Sequence, residues 1–158
     1  MVLARAHSLL TQSWHGVALG DIVAETVLPF EGNTEINRIY VEGPEVVVRA
    51  NAAVSLSMIQ HELLTNAVKY GALSRAGGKV AISWSLVEAA SSGNSAKVEF
   101  TWTESGGPRV EKPKGRGFGT RLFEASADQL DAELSLDFAP QGFRCRMVLP
   151  ITPVETAH

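Results

Sequence analysis

The chain has a single cysteine, Cys145, in 158 residues. No internal disulfide can form, and no Cys/His spacing resembles a metal-ligand cluster. Charge is sparse too: 20 % of residues are charged and the net charge is −3. That balance argues against a general nucleic-acid binder, which needs a basic face. No apolar run approaches the roughly 20 residues that span a bilayer. The opening stretch "MVLARAHSLLTQSW" has one early Arg but neither the apolar segment nor the cleavage site of a signal peptide. A cytoplasmic domain with no membrane contact is the expectation. What the chain does have is apolar residues, 45 % of the total, enough for one real core in one domain.

Periodicity organises the rest. Val2, Leu3, Ala6, Leu9 and Leu10 recur at helical spacing, so residues 2–14 read as a helix end. A helix is predicted from about Val17 to Leu28, stopped by Pro29. "RIYVEGPEVVVR" reads as two short strands around Gly43-Pro44. A long helix follows from about Asn51, its predicted cap, to Tyr70, and "SRAGG" after Gly71 is turn chemistry. Val80, Ile82, Trp84 and Leu86 share one face of a first alternating run. Val98, Phe100 and Trp102 share one face of a second. A Gly-, Pro- and Lys-rich loop over 105–119 leads to a helix from about Phe118 to Asp131. Two further strands carry Leu134, Leu136 and Phe138, then Phe143, Cys145, Met147 and Leu149, inward. Strands grouped in one mainly antiparallel sheet with helices on one face predict an α+β two-layer sandwich.

Two places carry polar residues where a core should be. On the long helix, at about 100° per residue, Asn66 lies at about 40°, Lys69 at about −20° and Tyr70 at about 80° from Glu62. The apolar stripe of Leu56, Ile59, Leu63 and Ala67 covers about 60° to 140° on the same count. The four polar side chains therefore border the buried stripe. Oxygen donors there suit Mg²⁺, which binds through one or two protein groups plus phosphates; a solvated helix flank explains the pattern as well.

The second place is "WTESGGP". Glu104 keeps the inward parity of Val98, Phe100 and Trp102, and a buried carboxylate demands a donor. The exocyclic amino group of a purine is one such donor; a strand-end Glu turned to solvent is the alternative. Gly106 and Gly107 would let a ligand approach the backbone. "GRGFGTRL" then sets Gly115, Gly117 and Gly119 before a helix, where free backbone N–H groups favour an anion. It is neither a Walker loop nor a Rossmann turn.

In this order the segments resemble the ATP-binding (Bergerat) fold shared by gyrase, MutL and the histidine kinases. They match an N box (Glu62 to Tyr70), a G1 box (Glu104 to Pro108) and a G2 box (Gly115 to Leu122). The likeness is greatest to the HWE histidine kinases, named for a His in the N box and a Trp-x-Glu in G1, here His61 and Trp102-Thr103-Glu104. It covers about residues 5–150. The resemblance implies that Asn66 holds Mg²⁺, with Glu62 acting on the metal through water. It implies that Lys69 reaches the phosphates and that Tyr70 and Phe118 line the nucleotide site. Glu104 would bind the adenine amino group, beside Gly106. Gly115, Gly117 and Gly119 would cradle the phosphates, with Thr120 adding a hydroxyl. Two positions depart from the family pattern: Pro108 replaces the last G1 Gly, and Phe143 stands where many relatives have a Thr.

The resemblance further implies a catalytic, ATP-binding domain over 15–150, the end of a phosphoacceptor or linker helix over 1–14, and a flexible tail over 151–158. ATP and Mg²⁺ would be its cofactors. Its γ-phosphoryl group would pass to a His on the phosphoacceptor helices of the same kinase, in cis or in trans, and then to an Asp of a response regulator receiver domain. The acceptor His is expected outside this chain, since His7, His15 and His158 sit in no acceptor-like motif. No nucleic-acid partner is expected, and the isolated domain should be monomeric. The alternatives are a same-fold ATPase with Glu62 as base, an anti-sigma-like serine kinase, and a non-catalytic ATP-sensing module.

Overall fold

The structure, a computed structural model, describes residues 16–31, 38–87, 96–111 and 118–151, without the side chains of 30–31 and 118–122. The readings of 2–14 as a helix end and of 152–158 as a flexible tail lie outside the described residues. The elements are β1 (Val17–Ala18), α1 (Leu19–Glu31), β2 (Ile39–Glu42), β3 (Val47–Val48) and α2 (Ala50–Lys69), followed by a 3₁₀ turn (Ala72–Ser74). Then come β4 (Lys79–Val87), β5 (Ala96–Ser105), α3 (Phe118–Gln129), β6 (Glu133–Ala139) and β7 (Gly142–Ile151).

Five strands form one sheet in the order β2-β4-β5-β7-β6, and β1 pairs with β3 in a separate two-stranded ribbon. Every pair in the large sheet is antiparallel except β2 with β4. A parallel pair needs a crossover, and α2 supplies it, which lays that helix across the sheet. The register sets Ile82 opposite Trp102, Trp102 opposite Cys145 and Cys145 opposite Leu136. The inward rows therefore line up across four strands. They close on Leu56, Ile59 and Leu63 of α2 and on Leu19, Ile22 and Val23 of α1. The expected two-layer α+β sandwich is what forms.

Several boundaries differ from the sequence reading. Val17 and Ala18 pair with Val48 and Val47, so α1 starts only at Leu19. Pro29 lies inside α1 and does not stop it. Proline removes its own N–H donor, and in a last turn the helix carries on through the backbone of the residues after it. At α2 the cap position is Arg49, extended and without a side-chain cap bond. Asn51 sits inside the first turn, where its Oδ1 accepts from the Ala52 N–H at 2.9 Å. It relieves one of the helix's orphan donors from within. Leu86, expected inward, is exposed. β7 runs through Pro150 to Ile151. β6 begins opposite Val148, so Pro150 has a ladder neighbour on one side only, a position a residue without an N–H tolerates.

One core group is out of keeping with its surroundings. Gln60 on α2 is fully buried, and among the described residues neither its Nε2 nor its Oε1 has a hydrogen-bond partner. Burying an unpaired amide costs on the order of 1–3 kcal/mol. Gln60→Met keeps the length and removes both polar atoms, so it should stabilise the fold by about 1–2 kcal/mol. The check is a higher urea midpoint at unchanged slope; an unmoved or lower midpoint would contradict it.

Candidate functional site

The site forms where α2 ends. Glu62 and Asn66 are half-buried on its last turns, while Lys69 and the C-cap Tyr70 are exposed, Tyr70 at 74 %. Ser55 shares their side of the helix, lying at about 20° on the same count. Its Oγ donates to Gln129 Oε1 of α3 at 3.2 Å, so this polar edge faces α3. His61 is exposed, and nothing in the structure gives it a role.

The sheet brings the second cluster to the same end. Glu104 is buried, at 5 % exposure, as its strand parity predicted. Its Oε1 accepts from the Ala72 N–H at 2.9 Å, just past the end of α2, and its Oε2 accepts from Trp102 Nε1–H at 3.0 Å. Burial pushes its pKa up, and the two donors pull against that shift without cancelling it. A β-carbon at Gly71 would collide with the Oε1 of Glu104, so only glycine leaves room for the carboxylate.

Two donors to this carboxylate, the Ala72 N–H and the Trp102 indole, escaped the sequence reading, as did Arg38 behind the Ala72 turn. Trp102 was legible in principle, since it lies two residues before Glu104 on the same face of β5. Arg38 carried no local signal. It donates from Nε to Gly78 O at 3.0 Å and from Nη2 to the carbonyls of Ala72 and Arg75. These charge-assisted bonds fasten the turn whose Ala72 N–H reaches Glu104. Gly107 also serves this turn: a β-carbon there would overlap the Ala72 backbone. The open space expected for a ligand beside the G1 glycines is therefore filled, at Gly107, by the protein's own backbone.

The third cluster arrives by topology. β5 leaves the sheet at the Glu104 end, and Val110 donates its N–H to Pro140 O in the β6–β7 turn at that same end. α3 then runs back, finishing against Ser55 near the start of α2. Its N-terminus, at Phe118, thus lies toward the end of the sheet where α2 finishes. Gly119 and Thr120 are in its first turn, whose backbone N–H groups have no intrahelical partners. Gly115 and Gly117 lie outside the described residues. Phe143 pairs with Phe138, ring centroids 5.1 Å apart, and is the next inward residue of β7 toward Glu104 after Cys145.

Among the described residues no group of three or more His, Cys, Asp or Glu side chains could hold a metal. A site of Asn66 with Glu62 needs none, because Mg²⁺ retains waters and takes phosphate oxygens. A cavity of about 360 Å³, lined by Glu42, Ser83, Trp84, Glu99 and Thr101 among others, contains none of the motif residues. No helix among the described residues is long and apolar enough to cross a membrane.

Comparison with known proteins decides the affiliation. No family model matches the sequence. The blue-light-activated histidine kinase of Brucella ovis is 40 % identical over 153 residues, 96 % of this chain, and that of Brucella anthropi is 41 % identical over 152 residues. The chain is homologous to a part of these histidine kinases. It spans 30 % of the length of these relatives. The fold agrees. The histidine kinase domain of Erythrobacter litoralis EL346 superposes with a TM-score of 0.71 at 17 % identity, covering 95 % of this chain and 71 % of that one. The mycobacterial sensor histidine kinase MprB gives 0.64 at 18 % identity, covering 87 % and 98 %. The catalytic domain of histidine kinase ThkA gives 0.61 at 16 % identity, covering 86 % and 95 %. Solved histidine kinase domains thus share the fold that, in this chain, sets Glu104 against the turn following α2.

Proposed function

We propose that this domain binds Mg-ATP and supplies the γ-phosphoryl group of a two-component sensor histidine kinase of the HWE type. The receiving His would lie on phosphoacceptor helices, in cis or in trans, and the final acceptor would be an Asp of a receiver domain. The observation that carries this reading is the meeting of Glu104 with the end of α2 through the Ala72 N–H. It sets the buried Glu104 carboxylate against the turn that follows the oxygen-donor helix, which supports this reading.

The residue roles follow from chemistry. Glu104 accepts from the adenine amino group. Asn66 offers its side-chain oxygen, and Glu62 orients water one turn earlier. Lys69, in the last turn of α2, adds positive charge where the helix dipole favours it and within reach of the phosphates. Tyr70 and Phe118 flank the nucleotide. The amides around Gly115, Gly117 and Gly119, with the Thr120 hydroxyl, receive its anionic end. Mg²⁺ bound there neutralises the charge of the phosphate oxygens. The protein's share in such a transfer is positioning and electrostatics.

The test is calorimetry with ATP, ADP and GDP in Mg²⁺, then transfer from γ-labelled ATP to a supplied phosphoacceptor helix pair. The expected result is binding of ATP and ADP, weaker GDP, and label on the His of the helices. Steady ATP hydrolysis that depends on Glu62, without transfer, would replace the kinase reading by an ATPase. ATP binding with neither transfer nor hydrolysis would mark a sensing module. A serine-phosphorylated partner would mark a serine kinase.

A further inference from the structure

We infer that Trp102 is a positioning residue for base selectivity: its indole N–H fixes the Glu104 carboxylate in the orientation that receives the purine amino group. This rests on the reading of Glu104 as the adenine acceptor.

A glutamate at that position has a problem that its surroundings solve. Its side chain has three rotatable bonds, and an unrestrained carboxylate would lose rotamer freedom at the moment of binding. In the structure that ordering is already in place. Trp102 and Glu104 alternate onto one face of β5, and Trp102 is fully buried, so its indole cannot follow a mobile partner. Nε1–H holds Oε2, and the Ala72 N–H holds Oε1. A carboxylate offers about four lone-pair sites, so with one donor on each oxygen both oxygens still have accepting capacity. Trp102 is also the one of the two donors that a side-chain substitution can remove, because the other belongs to the backbone. The Trp-x-Glu spacing thereby acquires a physical reason: two residues along a strand is the shortest separation that returns a side chain to the same face.

The experiment compares ATP with purine riboside triphosphate, which lacks only the exocyclic amino group, by calorimetry in Mg²⁺. The wild type should prefer ATP by about tenfold or more, the worth of a hydrogen bond to a charged group. Trp102→Phe keeps an aromatic ring in the core and removes the donor. Its preference should collapse toward unity, while affinity for the analogue stays near the wild-type value. A merely structural role would weaken both nucleotides alike. A preference that survives in Trp102→Phe but disappears in Glu104→Ala overturns the positioning role and leaves the adenine role standing. A preference that survives in Glu104→Ala overturns both, as does a wild type that binds neither nucleotide. Should Trp102→Phe not fold, ¹⁵N-tryptophan spectra of the wild type and Glu104→Ala decide the matter. The Trp102 indole N–H resonance should move upfield in the variant, while that of Trp84, which donates to Pro44 O at 2.7 Å, stays in place. An unmoved Trp102 resonance overturns the inference.

Discussion

Asn66→Ala should remove Mg-ATP binding from this domain while leaving the fold intact. Asn66 is half-buried on the α3-facing edge of α2, one turn beyond Glu62. Alanine is the best helix former and replaces one of the weaker ones, so α2 does not suffer from the change. What disappears is the amide oxygen proposed to hold Mg²⁺ against the phosphates, and with it the neutralisation of their charge. The expected loss is at least about 100-fold in affinity, or ~2.8 kcal/mol. Thermal unfolding without nucleotide should be unchanged or slightly raised. Calorimetry in Mg²⁺ gives the answer, and wild-type affinity in the variant would sink the assignment of Asn66.

Glu104→Gln should weaken ATP by about tenfold or more, the worth of a charged hydrogen bond, and its effect reaches beyond the lost charge. Both carboxylate oxygens receive N–H donors, from Ala72 and from Trp102. An amide has one oxygen and one NH₂, so either flip sets a donor against a donor. The variant should also respond differently to pH. Burial raises the Glu104 pKa in the folded state, so the folded protein binds this proton more tightly than the unfolded chain does. The stability tied to it is fully present below the ordinary glutamate range and is lost as pH rises through the raised value. ATP binding has the opposite trend, since the ionised form is the better acceptor. The wild type should therefore lose stability and gain ATP affinity across that window, and Glu104→Gln should flatten both. Denaturant midpoints and calorimetry over the same pH series test this; parallel curves for the two proteins would refute it.

Much of the domain was legible in the sequence because its signals are local. Period-two alternation gave β4 through β7 and, apart from Leu86 at the end of β4, their inward faces, since a strand's side chains alternate whatever lies beyond. Helical spacing gave α2 and α3 close to their observed limits. The misses have a common cause. Val17 and Ala18 were absorbed into a ribbon with β3, Pro29 was carried inside α1, and Asn51 lost the cap position to Arg49. Each was decided by a partner distant in sequence or by the shared backbone of the turn, and periodicity sees neither.

The candidate site divides in the same way. Parity alone turned Glu104 inward, and helix angles alone put Glu62 and Asn66 at the rim of the core stripe. That these residues share a corner required the sheet. The β2–β4 crossover lays α2 across it, β5 delivers Glu104 to the end of that helix, and α3 returns to leave its N-terminus on the same side. The donors around the carboxylate also came only with the fold: a backbone amide at Ala72, a turn fastened by Arg38, and the space at Gly71. His61 stayed legible and unexplained, exposed on α2. The sequence by itself singled out the candidate residues and turned Glu104 inward on its strand and Glu62 and Asn66 to the rim of their helix. The tertiary structure decided what they point at, because hydrogen bonds between remote segments depend on distances that no local pattern encodes.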